Sequence, residues 1–131
     1  LRLGDPLAVA AVAVKYPDVP IVIPHFGAGF FREVLMAASA APNIHVDTSS
    51  SNSWIVSNPG LRLRDVFARA LEVLGASRVL FGTDSSFFPR GWQRDIYDQQ
   101  RALVTDLGVP RYPHGCGNDD RTDRDQRDNR S

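Results

Sequence analysis

The sequence predicts an α/β fold with parallel strands. Three observations predict it. Short apolar runs alternate with longer segments of helical periodicity across residues 5–108. Each apolar run ends in a loop rich in Gly, Thr, Ser or Asp rather than in a hairpin turn. Proline and glycine stop signals separate the segments at Pro17, Pro42, Gly75 and Gly108.

The elements follow in order. Asp5 is placed to cap a first helix, with Pro6 at its first position and a stop before Pro17; its alanine-rich face suits close packing on a sheet. Its apolar stretch, residues 7–14, is too short to span a membrane and lacks the flanks of a signal peptide. After a turn over residues 16–20, residues 21–24 read as a strand, with Pro24 at its end where a missing N–H is tolerated. Gly27, Ala28 and Gly29 open a helix running to about Ala41, with Phe30, Phe31, Val34, Leu35 and Ala38 at helical spacing. Residues 43–47 form the second strand and 48–59 a long polar loop. Residues 61–74 form the next helix, with Leu63, Val66, Phe67, Ala70, Leu71 and Leu74 on one face and Gly75 as its stop. Residues 78–81 are too short for a helix and read as a buried third strand. Trp92, Ile96, Leu103, Val104 and Leu107 mark a last helix.

Three parallel strands leave open edges and do not close a barrel. A complete (β/α)8 TIM barrel needs roughly 250 residues, and this chain has 131. The expectation is therefore a partial (β/α)8 barrel, about its last three βα units, over residues 1–110. Opening on Leu1 with a segment that reads like the middle of a protein, the chain is expected to be part of a longer one. Residues 111–131 mix Arg, Asp, Asn and Gly without periodicity and are expected to form a disordered polar tail.

Composition narrows the function classes. Fifteen basic and 15 acidic residues give a formal charge of zero, so no footprint for nucleic acid or an anionic membrane surface arises. One cysteine, Cys116, makes no internal disulfide and no zinc cluster. A cytoplasmic protein without a nucleic-acid or membrane partner is the expectation.

Two residues carry the chemistry. Asp84 follows the third strand and His25 the first. In parallel α/β folds the C-terminal strand ends are where ligands and metals are held. A carboxylate there binds a metal, accepts a proton or caps a loop; an imidazole moves protons near neutral pH. Asp47 also ends a strand, and facing the site or forming an Asx-turn with the following residues are both open to it. Ser49, Ser50 and Ser51 sit in no Gly-x-Ser-x-Gly elbow and line a cleft or satisfy loop backbone instead. Trp54, Phe87, Phe88 and Trp92 shape an apolar cleft or pack as core.

Residues 20–29 (PIVIPHFGAG), 45–54 (HVDTSSSNSW) and 78–91 (RVLFGTDSSFFPRG), in this order and spacing, resemble the last three strands of the amidohydrolase-related family. That family holds metal-dependent TIM-barrel hydrolases and decarboxylases. The resemblance implies that Asp84 is a ligand of the catalytic divalent metal, usually zinc, and that His25 is an acid/base residue. The family's other ligands come from a His-x-His pair and a further His on earlier strands, which have no counterpart here. His45 lies inside its strand and His114 in the tail. The chain alone is thus expected to be inactive and to bind metal weakly or not at all. Two other classes stay open. Gly27, Ala28 and Gly29 between strand and helix suggest a dinucleotide or phosphate binder, but Arg32 stands where the fingerprint needs a third Gly. A non-catalytic fragment or interaction module keeping remnants of the barrel is the other.

Overall fold

A computed structural model describes residues 4–85, 91 and 93–109. The expected disordered tail, Cys116, His114, Phe87, Phe88 and Trp92 lie outside the described residues. Helix α1 spans Pro6–Lys15, strand β1 Ile21–Ile23, helix α2 Phe31–Ala40 and strand β2 Ile44–Asp47. The short helix α3, Ser51–Trp54, leads through a 3-10 turn at Ile55–Ser57 to helix α4, Leu63–Leu74. Strand β3 is Val79–Leu80 and helix α5 is Arg94–Asp106. The strands form one parallel sheet in the order β1-β2-β3. Parallel neighbours need a crossover rather than a hairpin, and α2 and α4 supply it.

The register decides which side chains share a face. Ile21 pairs with Ile44, Ile23 with Val46 and Val46 with Val79, which puts five aliphatic side chains on one side of the sheet. That side meets the apolar stripes of α2 and α4. Val34, Ala37, Ala38, Val66, Phe67, Ala70 and Leu74 join Ile23, Ile44 and Val46 in the buried core. Val22, His45, Asp47 and Leu80 share the opposite side. The third strand is therefore not buried as its composition suggests: Leu80 is 42% exposed and Phe81 45%. It is the last strand of the sheet among the described residues, and α4 packs against it.

Several local expectations change for physical reasons. Asp5 caps α1 as expected, its Oδ1 accepting from the Leu7 N–H at 2.9 Å. The helix packs against α2 rather than directly on the sheet. The side-chain amide of Asn43, at the entry to β2, donates to the carbonyls of Ala13 (3.1 Å), Tyr16 (3.0 Å) and Val19 (2.8 Å), which moors the end of α1 and the turn after it. Helix α2 begins at Phe31 and not at the glycines, because His25, Phe26, Gly27 and Ala28 all hold positive φ. The polar loop 48–59 contains α3, and Arg78 precedes β3 instead of belonging to it. The Arg78 guanidinium reaches the free carbonyls at the ends of two helices, Leu74 (2.8 Å) and Val73 (3.1 Å) of α4 and Ala38 (3.1 Å) of α2. Carbonyls in a last helical turn lack intrahelical donors, and a cation there also opposes the helix dipole.

Candidate functional site

The three strands deliver their following loops to one edge of the sheet, since all run parallel. His25 leaves the end of β1, Asp47 closes β2, and Asp84 follows β3. The middle strand separates the outer two, so the ends of β1 and β3 lie two inter-strand spacings apart, on the order of 10 Å.

The turn that carries His25 is unusual backbone. His25 (φ 60°), Phe26 (φ 50°) and Ala28 (φ 48°) are non-glycine residues in the left-handed region, which costs about 1–3 kcal/mol each. What offsets that cost is Phe26. Its side chain is fully buried and meets the rings of Phe67 at 5.1 Å and Phe31 at 6.2 Å, both edge-on. Burying a phenyl group contributes about 1.5–3 kcal/mol, and each edge-on ring pair about 0.5–1.5 kcal/mol more. Sending Phe26 into the core bends the chain so that His25, one residue earlier, stays at the rim.

At the rim, His25 is held by residues of the loop after β2. Its main-chain N–H donates to Asp47 Oδ1 at 3.0 Å. Its Nδ1 lies 2.7 Å from Ser49 Oγ and 3.0 Å from the Ser49 carbonyl oxygen. The same Asp47 oxygen accepts from the Ser49 N–H at 2.9 Å and from the Ser49 hydroxyl. Asp47 thus makes the Asx-turn and faces His25 at once. Gly82 approaches Ser49 from β3's side; a Cβ there would stand 3.0 Å from Ser49 Cβ, so a glycine keeps the two loops close.

Next to this group Thr48 ties β2, the loop after β3 and α5 together. Its N–H donates to Leu80 O at 2.9 Å. Its hydroxyl accepts from the Gly82 N–H at 3.1 Å and donates to Gln100 Oε1 at 2.6 Å. Gln100, 2% exposed on α5, donates in turn to the Thr48 carbonyl (3.2 Å) and Asn52 Oδ1 (2.8 Å). Gln93 donates to the Thr83 carbonyl at 3.0 Å. Helix α5 thereby fixes the loops at the C-terminal edge.

Asp84 sits in the left-handed region (φ 62°) with an exposed side chain. Among the described residues no hydrogen bond joins it to His25. The structure thus brings His25 together with Asp47 and Ser49. The serine partner is not legible from sequence, because the contact spans 24 residues; the Asp-Thr-Ser order after an apolar run was the only local signal. His45 lies within β2, its Nδ1 at 3.0 Å from the Asn43 carbonyl. Trp54 packs partly buried against the core. A zinc site needs three or more converging donors, and among the described residues no three His, Cys, Asp or Glu side chains group that way. These residues do not by themselves form a metal site.

The model of a known protein family, described as amidohydrolase, matches residues 1–124. The chain belongs to the amidohydrolase family. It is similar to Protein fluG of Emericella nidulans, 25% identical over 89 residues, which are 68% of this chain and 10% of that protein. It is also similar to an amidohydrolase from Burkholderia multivorans, crystallised with bound HEPES. That likeness has a TM-score of 0.52 at 19% identity, over 81% of this chain and 42% of the other, and shows a shared fold. This amidohydrolase chain spans a tenth of the curated relative and under half of the solved one. No helix among the described residues is long and apolar enough to cross a membrane.

Proposed function

We propose that this chain supplies the last three βα units of a metal-dependent amidohydrolase barrel, one that hydrolyses or decarboxylates a small carboxylate, lactone or amide substrate. In this reading residues 1–110 are the barrel portion and 111–131 a polar tail. His25 gives and takes the proton, and Asp84 offers one carboxylate toward a divalent metal, zinc by resemblance, whose other ligands lie on strands this chain does not carry. One observation carries the reading: the family match over residues 1–124, in a chain whose His25 and Asp84 loops leave the same edge of one parallel sheet. A metal of this kind lowers the pKa of bound water and polarises a carbonyl. With one carboxylate and one imidazole, the chain alone has too few donors to hold it.

Two measurements test the proposal. Calorimetric titration of the chain with zinc is expected to give no tight stoichiometric binding; a tight one-to-one isotherm overturns the claim that the chain is inactive alone. Sequencing the coding DNA immediately upstream of Leu1 is expected to reveal an in-frame strand ending in His-x-His. A coding region without one removes the metalloenzyme reading. A second reading, a non-catalytic module, draws on the exposed Val22 and Leu80, which share one side of the sheet. Size-exclusion chromatography separates the two, since such a module is expected to elute as a defined complex through that side.

A further inference from the structure

We infer that Asp47 and Ser49 are positioning residues that hold His25 as its Nδ1–H tautomer, which makes Nε2 the nitrogen that exchanges protons. The inference rests on the reading above, in which His25 carries protons, and names the atom that does so.

The argument is one of donors and acceptors. A carbonyl oxygen only accepts. The Ser49 carbonyl lies 3.0 Å from Nδ1, a hydrogen-bonding distance, so the hydrogen between them belongs to Nδ1. The Ser49 hydroxyl gives the same answer independently. Its single hydrogen points to Asp47 Oδ1, so toward Nδ1, at 2.7 Å, it presents a lone pair. The Asp47 oxygen fixes both partners by accepting the main-chain N–H of His25 and of Ser49. The order is therefore Nδ1–H to Ser49, and Ser49 O–H to Asp47. In the neutral ring the free lone pair is then on Nε2, which has no hydrogen-bond partner among the described residues. When Nε2 takes a proton, Nδ1–H stays in place and the imidazolium keeps its bonds to Ser49. No proton needs to pass to Asp47. A histidine's reactive nitrogen is commonly set by the hydrogen bond that the other nitrogen makes.

The test is a two-bond 1H–15N correlation spectrum of the histidine-labelled chain, recorded where the rings are neutral. His25 is expected to show a protonated Nδ1 and a bare Nε2. In Ser49→Ala one of the two acceptors is lost, and the separation between the two ring 15N shifts is expected to shrink. His45 donates from Nδ1 to a different carbonyl and serves as the internal standard, unchanged in the variant. An Nε2–H tautomer in the wild type overturns the inference. So does a folded Ser49→Ala chain whose His25 spectrum equals the wild type's. Should Ser49→Ala fail to fold, as its amide spectrum would report, the wild-type tautomer still decides. The readout needs no turnover, so its failure is separate from failure of the proposed reaction.

Discussion

Gly27→Ala is expected to be the most damaging single-methyl change in the turn that carries His25. A Cβ at Gly27 would stand 2.2 Å from Val34 Cγ2, whereas apolar carbons rest at about 3.5–4.0 Å. The atoms must part by roughly 1.5 Å. Val34 is fully buried on α2 and β-branched, so it has no free rotamer to swing into. Overpacking of this kind costs about 1–3 kcal/mol. Gly27 also has φ 77°, and alanine in the left-handed region adds about 1–2 kcal/mol. The sum is a loss of about 2–5 kcal/mol, out of the roughly 5–15 kcal/mol that holds a typical domain folded. Urea unfolding followed by circular dichroism measures it, and with a slope of about 1.5 kcal/mol/M the midpoint falls by roughly 2 M. Gly29→Ala is the control: its Cβ meets nothing within 4 Å and its φ is not positive, so it is expected to stay within about 0.5 kcal/mol of wild type. Val34→Ala removes the obstructing methyls, and in the Gly27→Ala background it is expected to cost at least about 1 kcal/mol less than alone. A Gly27→Ala chain as stable as wild type, or strict additivity in that cycle, refutes the reasoning.

Arg78→Met keeps an unbranched apolar stem but removes the guanidinium that donates to the helix-end carbonyls of Leu74, Val73 and Ala38. A loss of about 2–3 kcal/mol by urea unfolding is expected, since a hydrogen bond involving a charged group contributes about 1.5–3 kcal/mol net of its exchange with water. Gln100→Leu is similar in volume but removes the acceptor of the Thr48 hydroxyl and the amide donor to the Thr48 carbonyl and Asn52 Oδ1 beneath α5; a loss of about 2 kcal/mol is expected by the same assay. At Asp65 the hydrogen bonds from Arg62 hold the carboxyl below the usual carboxylate range. Its contribution is therefore present at neutral pH and is lost as pH falls through that lowered value. The pair lies at the surface, where solvent screens it, and the contribution is small, so Asp65→Asn is expected to show a slightly shallower decline of the urea midpoint on acidification.

Much of the architecture was legible because its signals are local. Asp5 and Pro6 announce the start of α1, Gly75 the end of α4, and the spacing of Val66, Phe67, Ala70 and Leu74 gives the face that α4 buries. The turn 25–28 was not legible, because Gly27-Ala28-Gly29 has the composition of a helix start. Its conformation follows from where the Phe26 ring must go, which only the assembled core decides. Helix α3 was hidden in serines that score as loop, and Arg78 looked like a strand residue because its partners lie on α4 and α2. At the site, His25 and Asp84 stand out as chemistry-bearing residues after apolar runs. The hold of Asp47 and Ser49 on His25 depends on β1 and β2 lying side by side, a relation that no window of sequence contains.

The short turn after β1 places a rim imidazole and a core phenyl on consecutive residues, His25 outside and Phe26 inside. Repacking the interior and tuning the histidine are consequently one and the same engineering problem. A substitution at Phe67 or Phe31 that lets the Phe26 ring shift is transmitted along a single peptide unit, and the imidazole drifts from Ser49 while the protein is still folded. Variants selected for altered chemistry at this edge should therefore accumulate second changes in the core around Phe26.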